Sequence, residues 1–151
     1  MPLDIGNDKP TISRLTTVEP ALLAPLLAAS QREGFRFVTR FCTEWADGTN
    51  RFDRPGEALF GVFTGPQLTG IGGLNRQSGK TGRLRRFYIL PSHRRQGLGR
   101  LLLDRILTHA FTHFRRVVLR TDTEAADRFY RACGFRRIED LPGATHGMEL
   151  G

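Results

Sequence analysis

The feature that most constrains the fold of this chain is a strand-like run, Leu84 to Leu90, stopped by Pro91 and followed by Arg94-Arg95-Gln96-Gly97-Leu98-Gly99. Behind the glycines an amphipathic stretch runs from Arg100 to Phe114, with Leu102, Leu103, Ile106, Leu107, Ala110, Phe111 and Phe114 at helical spacing. Two glycines let the backbone turn tightly and come close to a ligand. The first N–H groups of a helix have no intrahelical partner and lie at the positive end of its dipole. Such a helix start attracts phosphate, and Arg94, Arg95 and Arg100 add formal charge to it. Strand, basic turn and helix read together as a pyrophosphate-binding unit.

A dinucleotide-binding fold is one owner of such a turn. Its fingerprint needs a third small residue three positions on, where this chain has Leu102. Asp122 lies at a tempting distance downstream, but the glycines arrive after Pro91 and further loop residues instead of directly off the strand.

The remaining chain supplies the neighbours of this unit. Thr11 to Leu15 reads as a first strand, Val18 to Gln31 and Phe35 to Asp47 as amphipathic helices, and Gly48 to Gly56 as a polar loop. Ala58 to Thr64 and Leu68 to Leu74 form a hairpin around Gly65-Pro66-Gln67, and Asn75 to Gly82 reads as a loop. Gly70, Gly72 and Gly73 weaken the second strand and allow close approach of a ligand or backbone. In the central strand, alternation places Phe87 and Ile89 on one face and Leu84, Arg86, Tyr88 and Leu90 on the other. Arg116 to Arg120 is a further strand, Thr123 to Cys133 a helix closed by Gly134, and Arg136 to Ile138 and Gly147 to Leu150 complete the sheet. With no repeat or linker, residues 1–151 are expected to form one α/β domain.

The strand and turn, Phe87-Tyr88-Ile89-Leu90-Pro91 and then Arg94 to Gly99, resemble the acetyl-CoA motif of the GNAT N-acetyltransferase superfamily. A second match follows in Ala126, Phe129, Tyr130, Gly134 and Phe135, so the resemblance spans about Arg83 to Phe135. It implies a GNAT-like mixed, mostly antiparallel central sheet flanked by helices. It also implies direct transfer of an acetyl group from acetyl-CoA to a primary amine of a small molecule or peptide. By the same resemblance the backbone of Phe87, Tyr88 and Ile89 binds the acetyl carbonyl and pantetheine. Arg94, Arg95, Gln96, Gly97, Leu98, Gly99 and Arg100 bind the pyrophosphate, and Thr123 and Ala126 lie at the cofactor from the next helix.

Tyr130 matches the family's general acid toward the CoA thiolate; a phenol of pKa near ~10 is protonated at neutral pH and has one proton to give. Arg83 stands where some members carry a glutamate base, so either ordered water serves, as the resemblance to several members implies, or a base comes from Glu44, Glu57 or His146, of which Glu57 is put forward. A lysine amine is only ~0.04% neutral at pH 7 and an α-amine ~10%, so the missing glutamate weighs more against a lysine-like acceptor. Phe37, Phe41 and Trp45, helically spaced, either pack in the core or wall the acceptor cleft; Asn75 closes the stretch from Glu33 in which specificity should lie.

Composition narrows the alternatives. The net charge is +8, and of 23 basic residues only Lys9 and Lys80 are lysines. That points to a polyanionic partner such as CoA, RNA or DNA. The densest cluster, Arg83, Arg85, Arg86, Arg94, Arg95 and Arg100, sits at the phosphate turn and favours a nucleotide-like cofactor. No aromatic RNP-type strand supports an RNA-binding role. A non-catalytic acyl-CoA sensor stays open, as does a homodimer through the sheet edge or the early helices. No apolar run approaches a membrane span, Met1 to Lys9 shows no apolar leader, and Cys42 and Cys133 form no metal pattern, so the cytoplasm is expected.

Overall fold

The computed structural model describes residues 9–151; the polar stretch Met1 to Asp8 lies outside the described residues. Strands β1 (Pro10–Arg14), β2 (Ala58–Thr64), β3 (Gln67–Ser78), β4 (Thr81–Ile89), β5 (Arg116–Leu119), β6 (Arg136–Arg137) and β7 (His146–Glu149) form one sheet in the order β1-β2-β3-β4-β5-β7-β6. Every neighbouring pair is antiparallel except β4 and β5, which run parallel. Helices α1 (Pro20–Arg32) and α2 (Phe37–Asp47) cover one face, and α3 (Leu98–Phe111) and α4 (Glu124–Ala132) the other.

The two apolar faces are cut from the same strands. Along β2, Ala58, Phe60 and Val62 pack against α3, while Leu59 between them packs under α1 and α2. From α3, Leu102, Leu103, Ile106 and Ala110 are fully buried on the stripe anticipated from sequence, but Phe111, placed on the same stripe, is 64% exposed. Each of the buried leucine and isoleucine side chains among them stabilises the fold by about 1.5–3 kcal/mol. On the opposite side Leu23, Leu26, Val38 and Phe41 meet Leu59, Leu68 and Ile71.

Three expectations from sequence need correction. Asn75 to Gly82 is not a loop: β3 continues to Ser78, β4 starts at Thr81, and Ser78 pairs with Thr81 around a Gly79-Lys80 turn. The polar run Asn75-Arg76-Gln77-Ser78 hides this hairpin end, because it carries no apolar alternation. The glycines of β3 admit side chains. A Cβ at Gly73 would lie 2.3 Å from the Phe52 ring, and one at Gly70 would lie 2.5 Å from Ile89 Cδ1.

The third correction concerns the face of β4. Ile71 pairs with Tyr88 and Gly73 with Arg85, so Gly72 alone opposes both Arg86 and Phe87. This is a β-bulge, and Arg86 carries it at φ +58°. Alternation is broken there. Leu84 packs toward α3 with Phe87 and Ile89, whereas Tyr88 and Leu90 pack under α1 and α2. Arg83 and Arg85 consequently face α2, and the extra residue brings Arg86 to the same side, where it meets Glu44 of α2.

Candidate active site

The basic turn is built by backbone conformation. A 3₁₀ turn at Pro91–His93 ends β4, Arg95 takes φ +63°, and Gly97 takes φ +80° immediately before Leu98 opens α3. No side chain caps α3 and no acid occupies its first turn, so its leading N–H groups are left for a ligand. A Cβ at Gly97 would meet nothing within 4 Å, which leaves open space above the turn. Gln96, Arg95 and Arg100 are exposed beside it, Leu98 is buried in the core, and a Cβ at Gly99 would come 3.3 Å from the Phe129 ring.

Arg94 is occupied elsewhere. Its Nη1 and Nη2 donate to the Glu33 carboxylate at 2.7 Å each, and its Nε donates to the Ile89 carbonyl at 3.0 Å. Its guanidinium lies over the Tyr88 ring, whose hydroxyl donates to the same carboxylate at 2.6 Å. The Arg94 hydrogen bonds hold the Glu33 carboxyl below the usual range. Burial, followed by the Glu33 contact, pushes the Tyr88 phenol up. Glu33, just past α1, was not singled out from sequence and has no local signal; it ties the α1–α2 corner to the turn.

Next to the turn the sheet opens. β4 and β5 pair only from Thr81–Arg83 to Arg116–Val118, after which β4 runs on to Ile89 without a strand on that side. The Leu90 N–H donates to the Thr69 carbonyl of β3 at 2.9 Å. Successive residues of a strand point their backbone groups to opposite edges, so Ile89 and, two residues back, Phe87 present theirs to the opening. The Phe87 ring lies 6.0 Å from Tyr130, edge to face, at the same gap.

Tyr130 is buried among Phe87, Phe129 and Phe135, and its hydroxyl has no protein partner among the described residues. Desolvation pushes its phenol well above the ordinary value. Thr123 caps α4: its Oγ1 accepts from the Ala126 N–H at 3.2 Å, which uses the Ala126 donor and leaves the threonine hydroxyl proton free. His146 is buried on β7, with Nε2 2.8 Å from Asp127 Oδ1 and Nδ1 2.8 Å from Thr145 Oγ1. Both of its nitrogens are engaged.

Beside α2 and the loop that follows it lies a cavity of about 230 Å³, lined by Glu44, Asn50, Glu57, Asn75 and Arg85 among others. Glu57 is 5% exposed; its Oε2 accepts from the Arg76 N–H at 2.9 Å and its Oε1 from the Arg54 N–H at 3.2 Å. Asn75 and Asn50 exchange two side-chain hydrogen bonds, of 2.9 and 3.0 Å, which fasten the loop after α2 to β3. Of the aromatic trio, Phe41 is fully buried against Trp45 and Phe52, so it offers no surface to a ligand. Phe37, packed on Phe35 and Tyr88, and Trp45 are only half-buried.

The sequence pattern of the acetyltransferase (GNAT) family matches residues 24–135, which is most of the chain. The chain belongs to the GNAT acetyltransferase family. Its fold is similar to that of an acetyltransferase from Exiguobacterium sp. 255-15, at 33% identity and a TM-score of 0.82, over 93% of each chain. It is also similar to an acetyltransferase from Streptococcus agalactiae 2603, at 21% identity and a TM-score of 0.78, over 93% of this chain and 98% of that one. The ribosomal-protein-S18-alanine N-acetyltransferase from Escherichia coli shares the fold at 18% identity and a TM-score of 0.70, over 95% of each chain. The protein is thus an acyltransferase of mixed α/β architecture.

GNAT enzymes use acetyl-CoA as acyl donor and act on amines. The residues of this chain fit that donor. The uncapped α3 start with open space above Gly97 suits a diphosphate, and the free edge of β4 suits an amide-bearing linker. Arg94 supports the turn from behind through Glu33, which leaves Arg95 and Arg100 as the guanidiniums of the turn unengaged among the described residues. Among the described residues no helix is long and apolar enough to cross a membrane.

Proposed function

We propose that the protein moves the acetyl group of acetyl-CoA onto the primary amine of a small molecule or peptide by direct attack. The observation that carries this reading is the free edge of β4, which ends in an uncapped basic helix start and passes beside the buried Tyr130. Acetyl-CoA supplies the acetyl group as a thioester: the amine nitrogen bonds to the carbonyl carbon, the carbon–sulfur bond breaks, and the thiolate leaves with the electron pair.

The protein positions the reactants, polarises the carbonyl and handles two protons. Amides of the Gly97–Arg100 turn, with Arg95, Gln96 and Arg100, bind the diphosphate, and the Thr123 hydroxyl donates from α4. The Phe87 N–H faces the carbonyl oxygen, and Ile89 pairs with the linker. Tyr130 gives its proton to the departing sulfur. Burial keeps the phenol protonated, and the same desolvation raises the proton affinity of a thiolate beside it, so the two stay matched. Glu57 accepts the proton lost by the amine, directly or through one water, and Phe37, Trp45 and Asn75 border the acceptor. Two free, half-buried cysteines suit a reducing compartment, and cytoplasmic residence belongs to the same proposal.

The test is calorimetric titration with acetyl-CoA and a CoA-release assay on wild type and Tyr130→Phe. The variant is expected to bind acetyl-CoA normally and to lose ~10²–10⁴-fold in turnover, the range for a removed general acid. Unchanged turnover would take Tyr130 out of the reaction. A wild-type protein that binds neither acetyl-CoA nor CoA would end the proposal.

A further inference from the structure

Four guanidiniums crowd the α2 face where β4 and β5 part: Arg83, Arg85 and Arg86 from β4, and Arg120 immediately after β5. They are close enough that burial and then Arg85, Arg120 and Arg86 weaken the hold of Arg83 on its proton. Two carboxylates, Glu44 and Glu57, face them. The charges are unevenly matched. Arg86 donates to Glu44 at 2.7 Å, yet its Nε is buried with no acceptor. Arg83 reaches only neutral oxygens, on Gln77 at 3.2 Å and Gly143 at 2.7 Å. Arg85 is half-buried, lines the cavity of about 230 Å³, and among the described residues makes no hydrogen bond or ion pair.

The Arg85 guanidinium is free of protein acceptors among the described residues and open to a ligand anion. Planar and bidentate, Arg85 suits a carboxylate. Glu57 lines the same cavity, so an anion-seeking and a cation-seeking group share one small space. The volume falls below the ~300–1,000 Å³ of pockets for drug-sized ligands, which suits a molecule the size of an amino acid. Arg85 precedes Phe87 by two residues across the bulge, closer than the ~7 Å of a regular strand, so a carboxylate held by Arg85 leaves a neighbouring amine near the free β4 edge.

Resting on the acetyl-transfer reading above, we infer that the acceptor is a zwitterionic free amino acid, its carboxylate held by Arg85 in the positive field of the neighbouring arginines and its ammonium drawn to Glu57. The products are the N-acetyl amino acid, CoA and the proton released from the amine.

The experiment measures CoA release with free amino acids, the carboxamide of each, and dipeptides bearing the same first residue. The amine of a carboxamide is less basic and more often neutral, so chemistry alone favours it; preference for the free acid must come from binding. Free acids are expected to exceed their amides by about 10- to 100-fold in kcat/KM, the range for a hydrogen bond to a charged group. Arg85→Gln should erase that preference by raising KM for the free acids, leaving acetyl-CoA affinity unchanged. Equal use of amides or dipeptides, or a preference that survives Arg85→Gln, overturns the inference. If no amine in the panel turns over, titration of the CoA-loaded protein with the same acids decides: binding lost in Arg85→Gln supports it, and no binding overturns it. Acetyl-CoA affinity is measured without an amine, so failure of the acetyl-transfer reading is seen separately.

Discussion

Replacing Gly97 with valine separates the two demands its position meets. Its φ is +80°, and a Cβ built on it meets nothing within 4 Å. The cost to folding is therefore backbone strain alone, about 1–2 kcal/mol for an L-residue in the left-handed region. At this chain length each kcal/mol lowers Tm by about 2–4 °C, so a fall of about 2–8 °C is expected. The cost to binding differs in kind. The new methyls occupy the open space above the first amides of α3, where phosphate oxygens must come within about 3 Å of N–H groups. Losing two hydrogen bonds to a charged group costs ~3–6 kcal/mol, so affinity for CoA should weaken by ~10²–10⁴-fold. Calorimetric titration with free CoA and a thermal melt on the same sample read both quantities. A folded Gly97→Val protein with wild-type CoA affinity refutes the placement of the diphosphate. A collapse of the fold refutes the claim that the space is open.

Two further outcomes probe the supports of the site. Because Arg94 holds the Glu33 carboxyl below its ordinary value, their contact contributes stability above the unfolded glutamate pKa and loses it as pH falls through the lower folded one. Wild-type and Glu33→Gln melting curves should therefore differ at neutral pH and converge at the acid end of that window; a constant separation would remove Glu33 as the source. Gly73→Ala should destabilise by about 1–3 kcal/mol in urea titration, since its Cβ would lie 2.3 Å from the Phe52 ring. A neutral result would mean that the loop carrying Phe52 yields freely from β3.

Punctuation made the donor side legible. Pro91, Gly97 and the leucine stripe of α3 announce strand end, turn and helix through local conformational rules, and each lies where those rules place it. The acceptor side was legible only in part. A bulge at a non-glycine residue leaves no mark in side-chain type, so strict alternation sent Leu84 to the wrong face, while Arg86 stays with Tyr88 and Leu90. The carboxylate that engages Arg94 lies 61 residues away, beyond any pattern of spacing. Phe37, Phe41 and Trp45 share one helical stripe, yet only the sheet and the Phe52 loop decide that Phe41 is sealed while the other two keep a surface.

The arginines of the α2 face carry a chemical consequence apart from charge. A site that brings amines to an activated acyl group threatens any amine in its own wall. A lysine there would lose a proton readily enough to be acylated, and each such event would neutralise a binding group. Guanidinium stays protonated throughout the working range and does not compete for the acyl group. With Arg83, Arg85, Arg86 and Arg120 on the α2 face, and Lys80 at the far turn of the β3–β4 hairpin, this positive surface is inert toward acylation.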